Sequence, residues 1–88
     1  MATGSITVDF GTGKTDVSVS VSAPSIGTEK VEAWIIPATT ASNTLDDHWV
    51  EDLQVIAGPA NAGVGFTIYA KCRTGFAHGI YNLGWVYA

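Results

Sequence analysis

The sequence contains few charged residues. Asp, Glu, Lys and Arg make up 14% of its 88 residues, against about 25% in an average soluble domain. Apolar residues make up 47%, so a free molecule has little charge with which to cover its surface. We therefore expect the chain to assemble with copies of itself or with other proteins. The alternative is a monomer covered by uncharged polar side chains, which are abundant at 39–44.

Basic residues are scarcer still, and their scarcity argues against nucleic acid as a partner. There are 4 basic residues against 8 acidic ones, and the formal net charge is −4. The cations are scattered, at Lys14, Lys30, Lys71 and Arg73. Since no basic stripe is available to neutralise phosphates, we do not expect nucleic-acid binding. No apolar run approaches the roughly 20 residues that span a bilayer, and no signal-peptide pattern is visible, so we expect synthesis in a cytoplasm without membrane insertion.

Cysteine is nearly absent. Cys72 is the only one, so it cannot form an internal disulfide bond, and we expect it to be a small buried hydrophobic residue.

Six segments alternate apolar and polar residues with the period of two that indicates β-strands. The first five are 6–10, 17–21, 30–36, a strand that starts at 48 or 49 and ends before Gly58, and 64–72; the sixth is 78–88. In the fifth strand, one face carries Val64, Phe66, Ile68, Ala70 and Cys72. In the sixth, it carries Tyr81, Leu83, Trp85 and Tyr87. Such faces must meet a second sheet or another subunit.

No segment of useful length shows helical periodicity. We therefore predict one all-β domain over residues 1–88, a six-stranded antiparallel β-sandwich. The strand at 30–36 is apolar on both faces, which indicates a central strand or an interface. The longest predicted loop is 37–47. A single helical turn at 45–49, capped by Asn43 or Thr44, is an alternative to the start of the fourth strand.

The segment Gly11–Thr15 resembles the end of a phosphate-binding loop. Val8 stands where that motif needs its leading glycine, and no helix follows. We interpret the segment as a hairpin turn.

Residues suited to catalysis or metal binding are few. The sequence has only two histidines and no context for an activated nucleophile, so we do not expect an enzyme or a cofactor. Asp46, Asp47, His48 and Glu51 could supply metal ligands within one loop. A solvated acidic turn is the preferred interpretation, and we predict no metal site.

Aromatic residues make up 10% of the chain, and several fall on outer strand faces or in turns. Such residues anchor protein interfaces and stack on the apolar faces of sugars. We assign Trp34, Trp49 and Tyr81 to an oligomer interface or the core. Phe76 and His78, in the turn between the last two strands, are candidates for ligand contact.

The second half resembles the H-type lectin domain through 53–57, Gly65-Phe66, the strand to Cys72 and the final strand to Val86. This resemblance implies a six-stranded antiparallel sandwich, trimers packed side by side and a sugar site shared between protomers. By position, the family's sugar-contacting Arg falls at Gln54, and its aromatic and His turn residues fall near Phe76 and His78. Gln in place of Arg removes a charged fork that grips sugar hydroxyls.

Nearly the whole chain is also similar to short proteins encoded by tailed bacteriophages and their prophages. The likeness is carried by Ile6–Phe10, Val31–Trp34, Asp47–Glu51 and Gly65–Tyr69. It implies a virion protein assembled in the host cytoplasm: a tail fibre or spike module, trimeric, contacting other virion proteins and a host-surface glycan. The alternatives are a head decoration (cement) protein that stabilises the capsid, and a free lectin.

Overall fold

The structure is a computed structural model that describes all residues 1–88, and it contains six β-strands and one short helix. The strands are β1 (Ala2–Asp9), β2 (Asp16–Ser22), β3 (Val31–Ile35), β4 (Leu53–Ala57), β5 (Gly65–Cys72) and β6 (Ile80–Tyr87). The helix α1 (Leu45–Val50) lies between β3 and β4. The predicted all-β class with six antiparallel strands is confirmed. No helix is long and apolar enough to cross a membrane.

The strands form two three-stranded antiparallel sheets, with the orders β1-β6-β3 and β2-β5-β4. The core lies between them and is built from the inward residues of the alternating pattern. Its buried members are Val8, Phe10, Val21, Ala23, Ile26, Phe66, Ile68, Ala70, Cys72, Ala77, Tyr81 and Leu83. Cys72 is buried and free, as predicted. The central strands β5 and β6 supply half of this core, because each has a neighbour on both sides.

The segment between β1 and β2 joins the two sheets. β1 pairs only with β6, and β2 pairs only with β5, so the hairpin predicted at Gly11–Thr15 is wrong. The fully buried Phe10 anchors the chain as it crosses. Lys14 then forms an isolated antiparallel bridge with Ala77, in the connection from β5 to β6, which also passes from one sheet to the other.

β3 is an edge strand, so of the two alternatives given for it a central strand is wrong, and an interface stays a prediction. Its outer face carries Glu32 and Trp34. Trp34 lies across Gly84 of β6, where an added Cβ would come within 2.6 Å of the indole. The missing side chain at Gly84 provides the space for this ring. Trp34 remains 42% exposed, so it belongs to the surface and not to the core.

Residues 48–50 are helical and not the start of the fourth strand, which begins at Leu53. Thr44 caps α1: its side chain accepts from the Asp47 amide, while the Asp47 carboxylate accepts from the Thr44 amide. This reciprocal pair satisfies two amides that a helix otherwise leaves free. The strand prediction failed because six residues are too few for periodicity to separate helix from strand, whereas the alternative of a capped helical turn is confirmed.

Candidate functional site

One end of the sandwich presents a group of apolar and aromatic side chains to solvent. The end is formed by α1 and by the corner that joins β5 to β6. Its exposed side chains, which we call the aromatic end, are Leu45, Trp49, Val50, Phe76 and His78. Trp49 is 79% exposed and Phe76 is 67% exposed. Large apolar groups gathered at one end of a small domain are typical of a binding surface.

The corner that carries Phe76 and His78 is held from both sides. The Lys14 and Ala77 amides and carbonyls pair with each other at 3.1 and 3.0 Å, and Ala77 is fully buried. Phe10 N also donates to Gly79 O at 2.8 Å. Phe76 and His78 flank the buried Ala77, so both project from an anchored backbone.

α1 is docked by a buried histidine. The ring of His48 is 4% exposed, its Nδ1 donates to Thr44 O at 2.9 Å, and its Nε2 accepts from Asn82 N at 3.0 Å. The ring also packs edge-on against Tyr81, with centroids 4.8 Å apart. Since His48 faces inward, its helix neighbour Trp49 is directed into solvent.

Beyond the end of β3, the loop before α1 lies beside β6 and supplies its hydrogen-bond partners. Toward its own start, β6 keeps β1 on one side but has no strand on the other, where side chains of the loop satisfy its backbone. Ser42 Oγ accepts from Ile80 N at 2.7 Å, and Thr40 Oγ1 and Asn43 Nδ2 donate to Ile80 O at 2.8 and 3.0 Å. Together with His48, they replace a missing strand by side-chain hydrogen bonds. They also fix the position of the aromatic end relative to the sheet.

The acidic residues around α1 have partners other than a metal. Asp47 caps the helix, both ring nitrogens of His48 are hydrogen-bonded, and Glu51 Oε1 accepts from Cys72 Sγ at 3.2 Å. Asp52 pairs with Arg73 at 2.7 Å on the surface, where such a pair contributes about 0–1 kcal/mol. No group of three potential ligands converges on a metal-sized site.

The remaining candidate residues are dispersed. Tyr81 is buried in the core, edge-on to Phe10 at 5.7 Å. Gln54 lies on the outer face of the β2-β5-β4 sheet, in a shallow depression of about 430 Å³ lined also by Asp16, Tyr69 and Lys71. Phe76 and His78 do not line that depression. The structure therefore places Phe76, His78 and Trp49 at the same end of the sandwich, and places Gln54 and Trp34 on separate outer sheet faces.

The sequence analysis missed several exposed apolar and aromatic residues, among them Leu45 and Tyr69. Leu45 and Tyr69 are 52% and 48% exposed. Tyr69 could have been found, because the alternation in β5 already places it opposite the core residues. Leu45 could not have been found in this way, because its exposure follows from how His48 orients α1, and no periodic pattern in the sequence indicates that orientation.

Burial raises the pKa of Tyr81 above its ordinary value of 10.0, and the nearby charges of Glu51 and Asp47 raise it further. Above about pH 10 the unfolded chain therefore loses the phenolic proton before the folded chain does, and stability falls as pH rises. We expect Tyr81→Phe to remove this contribution. Urea unfolding of both proteins between about pH 9 and pH 11 measures it. An identical pH dependence of the two proteins would contradict the assignment.

No protein-family model, curated protein or solved structure matches this chain.

Proposed function

We propose that the chain is a virion protein of a tailed bacteriophage, a tail fibre or spike module that contacts the host surface as a symmetric oligomer. Within the all-β class, we assign it an H-type lectin-like sandwich, for which the two three-stranded antiparallel sheets are support. The observation that carries the proposal is the aromatic end. Its large side chains face solvent, while the residues beside them in sequence, His48 and Ala77, are buried.

The backbone of the aromatic end is already ordered before anything binds. The Lys14–Ala77 bridge holds the corner, and His48 holds α1. Binding therefore costs little additional ordering of the backbone, which favours affinity from few contacts. Trp49 and Phe76 offer flat apolar rings that stack on sugar faces or on apolar protein surface.

The low charge of the chain supports the symmetric assembly. A trimer, as the lectin resemblance implies, would present three aromatic ends at once. Weak sites that act together gain avidity by raising the effective concentration of each further contact. A host envelope, with its repeated surface glycans, offers the repeated ligand that such an arrangement requires.

Substitution of Phe76 by alanine tests host attachment. On an array of bacterial surface polysaccharides, we expect the wild-type oligomer to bind and Phe76→Ala to bind about 3- to 10-fold more weakly per site, from the loss of one stacking contact, with a larger loss in the multivalent format. Tyr69→Ala is the matched control, since it removes an exposed aromatic residue away from the aromatic end. Equal loss in both variants would contradict the site.

The head decoration function is the second outcome of the same test. A decoration protein would use the aromatic end to clamp neighbouring capsid subunits. Labelled antibodies against the chain would then mark the capsid of intact particles, and the polysaccharide array would show no binding by the wild type. Label on the tail together with array binding supports the fibre or spike module.

A further inference from the structure

β1 is an edge strand with unpaired backbone groups. It pairs on one side with β6, and Phe10 N donates to Gly79 O just beyond the strand. Because hydrogen-bonded pairs alternate in an antiparallel ladder, the even-numbered residues of β1 bond to β6. The odd-numbered residues Thr3, Ser5 and Thr7 direct their amides and carbonyls away from the sheet, and no hydrogen bond to them from outside the ladder is present.

This edge lacks the features that usually protect one. Natural edge strands are short, charged, interrupted by proline or covered. β1 has 8 residues and no proline, and its only charged side chain is Asp9 at its end. By contrast, β3 has 5 residues and carries Glu32, and β4 has 5 residues between Asp52 and Pro59. The edge strand β2 has 7 residues and is charged only at its first residue, Asp16, so it is the proper comparison for β1. The side chains along the free edge of β1 are small and exposed, so another strand could approach without obstruction.

Apolar side chains beside the same edge are partly exposed to solvent. Ile6 of β1 and Val17 and Val19 of β2 pack against the core but are only partly buried. A depression of about 310 Å³ lies between the two strands, lined in part by Thr7, Val8, Val17 and Val19. A chain added at β1 would cover these groups as well as pairing the backbone.

We propose that β1 pairs antiparallel with β1 of a second copy of this chain, around a two-fold axis at Ser5. In this register Thr3 lies opposite Thr7 of the second copy, and every outward backbone group of Thr3, Ser5 and Thr7 gains a partner. Hydroxyl side chains then face one another on the outer surface, a favourable cross-strand combination. The sheets of the two copies join into one continuous sheet.

The absence of charge selects a second copy as the partner. A strand that recognises a different protein commonly uses charges to choose it, and β1 has none between Ala2 and Val8. Self-pairing of a charged strand would oppose like charges, whereas this segment meets itself without repulsion.

The pairing does not depend on the proposed virion function. It predicts an even number of copies, either a dimer or two trimers joined through β1. The host-attachment test reads binding at the aromatic end, so failure there would leave this inference standing, and the reverse also holds.

Native mass spectrometry of the full chain tests the pairing. We expect the wild type to contain an even number of copies, and Ser5→Lys, which places two ammonium groups opposite each other, to weaken the pairing about tenfold or more. Ser20→Lys is the matched control, because Ser20 is an exposed serine of β2, an edge strand of the other sheet that is charged only at its first residue. The control should keep the wild-type mass. Thr7→Lys replaces Ser5→Lys if the latter loses its near-ultraviolet circular dichroism.

Hydrogen exchange gives an independent result at the residues concerned. In a single chain, the amides of Thr3, Ser5 and Thr7 have no partner and should exchange rapidly. In the paired form they should be protected, and Ser5→Lys should restore rapid exchange. A monomeric wild type, an odd number of copies, equal effects of the Ser5 and Ser20 substitutions, or rapid exchange in the wild type would overturn the proposal.

Discussion

Gly65→Ala is expected to lower the free energy of unfolding by about 3–6 kcal/mol, from backbone strain and overpacking together. Gly65 opens β5 with φ +146°, a conformation that side chains disfavour, and an added Cβ would overlap the carbonyl oxygen of Val21 on the paired strand. The clash involves backbone on both sides, so no side-chain rotation relieves it. β5 is the central strand of its sheet, and a displacement there affects both neighbours.

Gly75→Ala is the matched control for this prediction. Gly75 has a similar φ of +141°, but no atom lies within 4 Å of an added Cβ. It should therefore show only the backbone strain, about 1–3 kcal/mol. Thermal unfolding measures both, at about 4–8 °C per kcal/mol for a domain of this size. Equal losses in the two variants would show that the Gly65–Val21 approach is absent.

His48→Ala is expected to cost about 2–4 kcal/mol, from an unsatisfied buried amide and the cavity beside Tyr81. The histidine joins α1 to β6 through Thr44 O and Asn82 N. Its removal leaves the Asn82 amide without an acceptor at the point where β3 has already ended. Denaturant unfolding measures the loss, and release of α1 should also free the amides of residues 45–50 to exchange.

Trp49→Ala is the control for His48→Ala. A tryptophan usually contributes more to stability than a histidine, but here we expect its substitution to cost less. Trp49 is 79% exposed and His48 is 4% exposed, although they are adjacent in α1. The tryptophan variant should change stability by no more than about 0.5 kcal/mol, as surface substitutions do. A larger loss of unfolding free energy for Trp49→Ala than for His48→Ala would show that the tryptophan is buried, and this would contradict the assignment of the aromatic end.

Strand positions and inner faces were predictable from the sequence. A period of two assigns each side chain to a face, and β5 and β6 bury most of the residues that this pattern assigned to one face, from Phe66 to Cys72 and from Tyr81 to Leu83. The assignment of Val64 to the same face is wrong, because Val64 precedes β5 and is 60% exposed. Trp85 and Tyr87 are partly buried against the core. The same pattern does not say which strands are neighbours. The hairpin at Gly11–Thr15 was wrong for this reason, since a short connection serves equally well to join two sheets as to turn within one.

The candidate site was predictable only in part. The position of Phe76 in a turn indicated that its side chain is exposed, and in the structure the side chain is 67% exposed. The inward direction of His48 depends on the backbone of Asn82, 34 residues away, and no local pattern encodes that contact. Gln54 lies on an outer sheet face, because its neighbours Leu53 and Val55 pack on the core. The resemblance implies a site shared between protomers, so the assignment of Gln54 and Phe76 to one site stays a prediction.

Electron cryomicroscopy of intact phage particles purified from cultures that express this chain tests the proposed virion assembly most directly. We expect density for the sandwich in the tail fibre or spike, in symmetry-related copies, with Trp49 and Phe76 facing outward from the particle. Particles that lack the chain altogether, or that hold it as isolated single copies, would contradict the claim that it functions as part of a symmetric assembly.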